Sequence, residues 1–499
     1  MEIIRTLLPG NVRISVPNDI STLTTYVLLE QGDWFEDELK FIRSYIREGM
    51  TVLDIGASYG TYTLTLAQRV GSQGGVACFE PNPNVRDCLT ESVFTNQYTH
   101  VAIYPYAVSD KDGVSRLSMR GSSETATIDS DEQSGIAVET RKITSFPELM
   151  QASFDFVKLD AEGEEAKIIK GSSDFFEKQN PLILFEIRHD KVFNESAKIE
   201  LENLGYSFFK YLPSINALVP IRRIKGLDAY TLNLFACKKA KQLQLERDGF
   251  IVHEDTAPRD DALAWSKPGI REMFSRYSYA TTLVDTWMKN LDSGDGKLRN
   301  EYMTVLSLFD MAQSSGASKQ DRLTWLTTAY SIMNEIAKSG VNMGRLMTYA
   351  RLAHELGYRE QCMDLLSTLI KELESRGGQF TIPEPFVPPN ARYDFISPGE
   401  NVGNWIRSSI LEQLVNYSGF SSYFLSKESL DIIQNMVELG FMSHDLAIRG
   451  ILSNLRELNI THLTEELLMT NDFLLKRVIA IDEIATWSQV ENEEAAESI

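Results

Sequence analysis

Residues 50–62 read Met50-Thr-Val-Leu-Asp-Ile-Gly-Ala-Ser-Tyr-Gly-Thr-Tyr62. Thr51 to Ile55 is a short, apolar, partly β-branched run, too short for a helix and of the kind that forms a strand buried on both faces of a parallel sheet. Gly56 and Gly60 bracket a turn. Tyr62, Leu64, Leu66, Ala67 and Val70 then recur at a spacing that predicts a helix from about Thr61 to Gly71. Strand, glycine turn and helix in direct succession bring the backbone close to a ligand at the carboxyl end of a strand, where open α/β sheets bind their ligands. Asp54 sits at that strand end.

The glycine spacing narrows the ligand. A dinucleotide fingerprint needs Gly-x-Gly-x-x-Gly so that pyrophosphate rests on a helix N-terminus. Here the pattern is Asp-x-Gly-x-x-x-Gly, without the middle glycine, and an acid precedes the turn where a diphosphate would be repelled. A cationic or zwitterionic ligand fits better: S-adenosylmethionine carries an ammonium and a sulfonium, and Asp54 can hold its amino-acid end directly or through water. The same residues also fit a purely structural turn in which Asp54 caps the next helix.

Further strand candidates follow in order. Val76 to Phe79 ends in Glu80-Pro81-Asn82, and an acid ending the second strand is where adenosine-binding α/β folds hold ribose hydroxyls. Val101 to Val108 reads as a third strand, with Ala107 and Ser109 at an end that would lie beside the adenine and a turn signal in Ser109-Asp110-Lys111-Asp112-Gly113. Phe154 to Leu159 is a fourth, ending in Asp160-Ala-Glu162-Gly163. Pro181 to Ile187 is a fifth, followed by Arg188-His189. The predicted cofactor-binding set is therefore Asp54, Gly56, Ser58, Gly60, Glu80, Ala107, Ser109 and Asp160.

These blocks carry a family resemblance. Asp54-Ile-Gly-Ala-Ser-Tyr-Gly-Thr-Tyr-Thr-Leu, Phe79-Glu-Pro-Asn-Pro, Ala107-Val-Ser-Asp-Lys-Asp-Gly, Val157-Lys-Leu-Asp-Ala-Glu-Gly and Leu182-Ile-Leu-Phe-Glu-Ile resemble, in order, segments of the FkbM-type S-adenosylmethionine-dependent methyltransferases. The resemblance spans about Thr51 to Cys237. It implies a class I methyltransferase (Rossmann-like) α/β fold, with a seven-stranded sheet whose last strand is antiparallel, and O-methylation of a hydroxyl on a glycan or secondary metabolite. Ala161 and Glu164 depart mildly from the family's fourth block.

Methyl transfer from a sulfonium needs mainly an acceptor oxygen held in line, and then a base for its proton. His189 is the candidate base because its reference pKa lies near neutrality, although a surface helix-cap histidine reads equally well. The resemblance implies that Asp160 and Glu162 project beside the methyl site as base or substrate anchor. With Glu186 they form a carboxylate cluster able to hold a divalent ion, but no aspartate-asparagine pair completes a convincing set and no metal is predicted.

At 499 residues the chain exceeds one ordinary domain, and its 43% hydrophobic content is that of a globular protein. A formal charge of −21 argues against broad nucleic-acid affinity, which depends on clustered Lys and Arg. Cys78, Cys88, Cys237 and Cys362 lack metal-ligand spacing and predict buried reduced thiols in a cytoplasmic protein. No secretory pattern or long apolar run predicts a membrane span.

The predicted organisation is an N-terminal β/helix prelude (1–48), a methyltransferase domain (49–241), a polar linker (242–269), an α-helical domain (270–490) and an acidic tail (491–499). In the prelude, Val12 to Val16 and Thr24 to Leu29 read as strands and Phe35 to Arg47 as a helix. Lys111 to Pro147 is polar, and Arg120 to Gly135 reads as a lid or substrate loop, or as a β excursion at the sheet edge. Asp190 to Leu204 reads as a helix, and Tyr206 to Tyr211 with Leu232 to Cys237 as a final antiparallel pair. Beyond Ile270 the period is 3.6 without clear strands. Tyr349 to Gln361 resembles one tetratricopeptide-type helical hairpin, residues 377–403 a structured loop with five prolines. Two functions fit this plan: an O-methyltransferase whose helical half recognises a small-molecule or glycan acceptor or a protein partner, or a non-catalytic methyltransferase-like scaffold acting through its helices. On the predicted boundaries, a chain ending near Lys241 would still bind cofactor.

Overall fold

The structure is a computed structural model that describes residues 1–118, 127–129, 135–189, 192–193, 195–221, 223, 226–254, 265–291, 296–340, 342–375 and 382–483. The chain opens with a hairpin, β1 (Glu2–Leu8) and β2 (Val12–Pro17), then α1 (Leu23–Gln31) and α2 (Glu38–Tyr45). The main sheet starts with β3 (Thr51–Ile55), α3 (Thr61–Val70), β4 (Gly75–Phe79) and β5 (Val101–Tyr104). A smaller sheet follows, made of β6 (Ala107–Val108), β7 (Gly113–Ser118), β8 (Thr127–Asp129) and β9 (Ile136–Arg141). The chain re-enters the main sheet with β10 (Phe156–Leu159) and β11 (Leu182–Glu186), and makes the short hairpin β12 (Arg188–His189) and β13 (Val192–Phe193). It closes with β14 (Tyr206–Leu212), β15 (Ala217–Ile221) and β16 (Asn233–Lys238).

Across the main sheet the order is β15-β14-β16-β11-β10-β3-β4-β5. β5, β4, β3, β10 and β11 are mutually parallel, and β16 runs antiparallel between β11 and β14. Apart from β15, this is the class I methyltransferase order. The expected seven-stranded sheet is thus corrected to eight: β15 adds antiparallel to β14, pairing Leu212 with Ala217. Both faces of β3, β4, β10, β11 and β16 are buried, which is why these strands read as apolar runs. In β11, Leu182 and Leu184 enter the core shared with α2 and α3, while Ile183 and Phe185 enter the opposite core with Ile168, Phe175 and Leu201.

Several local expectations change. Thr24 to Leu29 is helical, within α1: its residues Thr24 to Glu30 are all buried, so burial on every side replaces any periodic signal, and tertiary packing overrides the β preference of Thr and Val. Val101 to Val108 is two strands in two sheets, divided at Pro105, which has no N–H to donate. The helix expected from Phe35 begins only at Glu38, leaving Trp34 to Glu36 outside it. The helix expected over Asp190 to Leu204 is confined to Ser196–Asn203. Within Lys111 to Pro147, β7 and β9 form a β excursion. Residues 120–126 and 130–134 of the expected lid lie outside the described residues, as does the acidic tail.

Beyond residue 265 the chain is mainly helical, and the expected hairpin is formed by the helices Met343–Glu355 and Arg359–Ser375. One strand was not foreseen: Ala480–Glu483 pairs antiparallel with β1, with Ile4 opposite Ile481. The helices also share a core with the sheet edge, since Leu212, Ile215, Ala217, Val219 and Val252 pack with Phe274, Trp287, Leu352 and Trp405. A second shared core joins Ile3, Ile14 and Tyr26 to Ile448, Leu452 and Leu455. All four cysteines are buried and free. No described helix is long and apolar enough to cross a membrane.

These shared cores bear on the boundary at Lys241. Ending the chain there would strip Leu212, Ala217 and Val219, each 2% exposed or less, of their helical cover. The fragment 1–241 is therefore expected to aggregate or to lack a cooperative thermal transition. A soluble fragment that melts cooperatively and binds cofactor would restore the independent boundary.

Candidate functional site

A cavity of about 710 Å³ opens at the carboxyl ends of β3, β4, β10 and β11. That is the size of a small-molecule site. Of the predicted residues, Gly56, Ser58, Ala107, Asp160, Glu162 and Glu186 line it. Asp54, Gly60, Glu80 and Ser109 stand behind that lining.

The turn after β3 is built by close approach. The amides of Gly56 and Ala57 both donate to the Phe79 carbonyl, at 3.2 and 2.9 Å. Gly56 has φ +80°, and a Cβ there would fall 1.7 Å from the Asp160 carbonyl oxygen. Ser58 has φ +49°. Its amide donates to Glu80 at 2.9 Å, and the Asn82 amide donates to the other Glu80 oxygen at 2.8 Å. The Glu80 carboxyl thus ties the first strand-end loop to the second. Burial pushes it up to about 7, against the pull of those two amides.

Asp54, expected to hold the amino-acid end directly or through water, lies beneath the cavity lining. It is fully buried and accepts from the Thr63 hydroxyl of α3 at 2.6 Å. Its Oδ1 has no hydrogen-bond partner, with Lys158 Nζ at 3.8 Å. Burial raises its pKa, with Lys158 and Thr63 opposing. Lys158, on β10 and only 5% exposed, is the cation that the buried strand requires. Its ammonium donates to the Gly56 carbonyl at 3.1 Å and to Asp160 Oδ2 at 2.9 Å, and lies 4.9 Å from the centre of the Tyr62 ring. Burial alone would lower the Lys158 pKa, but Asp160, Asp54 and Glu36 outweigh it and leave it raised.

Asp160, Glu165 and Glu186 place carboxylate oxygens within 4.8 Å of one another. Glu162 does not join that cluster; it lines the cavity at φ +51°. Glu165 Oε1 already accepts from the Ala161 and Gly163 amides at 2.8 and 3.1 Å. Burial, and then the charges of Asp160, Glu162 and Glu165, push Glu186 up to about 10. Ser109 donates to Glu164 at 2.8 Å. His189 pairs with Val192 through the β12–β13 hairpin, and its side chain lies outside the described residues.

The rest of the wall was not foreseen. Trp34, Phe35 and Glu36 line it from the segment before α2, and Tyr62 donates to Glu36. Glu360, Ser418, Gly419, Phe420 and Phe424 line it from the helical region. Phe35 packs on Phe420 at 5.3 Å and on Phe424 at 6.3 Å between ring centres. Buried Glu30 of α1 holds this wall in place: it accepts from the Ser421 hydroxyl at 2.8 Å and the Ser422 amide at 3.0 Å, and pairs with Arg449 at 2.9 Å. The Arg359 guanidinium lies over Tyr230 at 4.1 Å and Phe420 at 4.4 Å. Lys158 had a local signal, a lysine inside an apolar strand run. The contacts from residues 360–424 had none.

The family model described as the methyltransferase FkbM domain matches residues 54–208. No curated protein matches the chain. Among solved structures, the methyltransferase FkbM of Methylobacillus flagellatus KT is 16% identical, over 41% of this chain and 48% of that one, with a TM-score of 0.29. An S-adenosylmethionine-dependent O-methyltransferase of Thermotoga maritima is 14% identical over 47% of this chain and 92% of that one, at 0.26. A Streptococcus mutans chain described as a methyltransferase, in complex with S-adenosylhomocysteine, is 8% identical over 40% of this chain and 95% of that one, at 0.26. The strand order and the family match agree on one domain: residues 54–208 of this chain are a methyltransferase FkbM domain, set in a class I methyltransferase sheet and followed by a large helical region.

Proposed function

We propose that the protein transfers the methyl group of S-adenosylmethionine to a hydroxyl oxygen of a glycan or small hydroxylated metabolite, inside the cell. The observation that carries this reading is the position of the cavity, at the carboxyl ends of the FkbM-domain strands and closed over by aromatic residues of the helical region. The residues fit the cofactor. Ile55, Phe79, Pro81, Tyr106, Val108 and Leu117 offer an apolar slot for an adenine. Four buried free thiols support a reducing compartment.

Bound there, S-adenosylmethionine supplies an electrophilic methyl whose transfer leaves a neutral thioether. Gly56 and Ser58 would shape the turn that receives the cofactor, and Glu80 fixes that turn from behind through the Ser58 and Asn82 amides. Asp160, steadied by Lys158, anchors the acceptor, with Glu162 beside it. His189 takes the hydroxyl proton as the new O–C bond forms. Trp34, Phe35, Phe420 and Phe424 exclude water from the reacting atoms.

Calorimetry tests the cofactor. S-adenosylmethionine and S-adenosylhomocysteine are expected to bind and NAD is not. Glu80→Ala removes a carboxylate held by two amides and is expected to weaken binding roughly 10- to 100-fold, from the loss of about 1.5–3 kcal/mol. Unchanged affinity would remove Glu80 from the site. Transfer of a tritiated methyl group to a glycan or metabolite extract tests activity, and its absence in a chain that binds cofactor would favour the scaffold reading.

A further inference from the structure

The cavity is lopsided in charge. Among the described residues, Glu36, Asp160, Glu162, Glu186 and Glu360 line it, against Lys158 as the one lining cation. Lys158 is already engaged by Asp160 at 2.9 Å and stands 3.8 Å from Asp54. Glu36 and Glu186 have no cation within ion-pair distance among the described residues. The carboxyl groups respond as such a site must: burial first, and then Asp160, raise the pKa of both. S-adenosylmethionine brings a net charge of one and leaves most of this excess unmatched.

The wall beside Glu36 is aromatic. Trp34 lies 4.4 Å from Phe35, which meets Phe420 and Phe424, and Tyr230 adds its edge to Phe420 at 6.1 Å. Arg359 already lies over Tyr230 and Phe420, at 4.1 and 4.4 Å, which leaves Trp34 and Phe35 as the rings beside the unmatched carboxylates. Such rings attract an organic cation, through the ring quadrupole and through direct charge. A metal ion fits less well, because Lys158 occupies Asp160 and two backbone amides occupy Glu165 Oε1. Aromatic rings also ligate no hard cation.

Building on the methyltransferase reading, we propose that the acceptor carries a protonated or quaternary amine, held between the aromatic wall and the carboxylates of Glu36 and Glu186, alongside the hydroxyl that receives the methyl group. The amine is a recognition element, and methyl transfer itself is unchanged by it: the C–S bond breaks with its electrons on sulfur, the C–O bond forms, and the hydroxyl proton leaves to the base.

The test uses the full chain saturated with S-adenosylhomocysteine, with saturation measured separately by calorimetry. Failure of that first titration counts against the methyltransferase reading, not against the acceptor class. The probes are tetramethylammonium and its neutral isostere tert-butanol, followed by tryptophan fluorescence with Trp34→Phe as reference. Tetramethylammonium is expected to give a saturable change that Trp34→Phe abolishes, at least tenfold tighter than tert-butanol. Glu36→Gln and Glu186→Gln are each expected to weaken it at least fivefold and leave tert-butanol unaffected. Equal binding of the two probes, no binding of either, or binding untouched in both variants would overturn the proposal. So would Mg²⁺ displacing tetramethylammonium at a lower concentration than the probe itself requires, since the carboxylates would then serve a metal.

Discussion

His189→Ala is expected to lower the methyl-transfer rate roughly 10²- to 10⁴-fold while leaving the affinity for S-adenosylmethionine nearly intact. The asymmetry follows from the role. A general base acts on the acceptor proton in the transition state, whereas the proposed cofactor site is formed by the turn after β3 and the end of β4. Asp160→Asn is the comparison. As an anchor steadied by Lys158 at 2.9 Å, Asp160 contributes mainly to acceptor binding, so its variant is expected to raise the acceptor KM more than it lowers kcat. Full activity of His189→Ala from pH 6 to 9 would transfer the role of base to Asp160 or Glu162. Glu186 is a poor substitute, because burial, and then the charges of Asp160, Glu162, Glu165 and Glu36, push its carboxyl up to about 10.

Gly56→Ala is expected to weaken cofactor binding by two to three orders of magnitude. Its φ of +80° costs an L-residue about 1 kcal/mol, and its new Cβ would meet the Asp160 carbonyl oxygen at 1.7 Å. That oxygen belongs to backbone, so relief requires the ends of β3 and β10 to separate, and these are the two strand ends that frame the cavity. A displacement costing about 3–4 kcal/mol corresponds to the expected loss. Gly163→Ala provides the control. Its φ of +95° imposes comparable backbone strain, but no atom lies within 4 Å of the added Cβ. Equal losses in the two variants would assign the effect to backbone strain alone, and thermal melts of both would separate lost binding from lost folding.

The prelude shows why parts of the fold were not legible locally. Thr24 to Leu29 has the composition of a strand, yet it is a helix because its surroundings include Ser422 and Ser453, whose hydroxyls lie 2.9 and 3.3 Å from the Tyr26 hydroxyl. Contacts between residues some four hundred positions apart leave no periodic trace in either segment. The pairing of β1 with Ala480–Glu483 is hidden for the same reason, since a four-residue strand among helices carries too little pattern to register.

The sequence by itself determined the methyltransferase-fold half. The parallel strands β3, β4, β10 and β11 are buried on both faces and therefore announce themselves as short apolar runs, and each run leads to the residue that the fold presents at its carboxyl edge: Gly56, Glu80, Asp160 and Glu186. Four such ends, with the Ala107 block between them, identify a methyltransferase sheet. Only the tertiary structure decided what those ends do. Asp54 faces Thr63 and Lys158 beneath the cavity, because a carboxylate inside a strand points wherever the sheet's pleat directs it. The cavity's other wall comes from Trp34 to Glu36 and from residues 360–424, which buried Glu30 and the Arg359 stack bring over the strand ends. That wall is assembled by long-range packing, which depends on shape and charge meeting across the fold and has no local sequence signature.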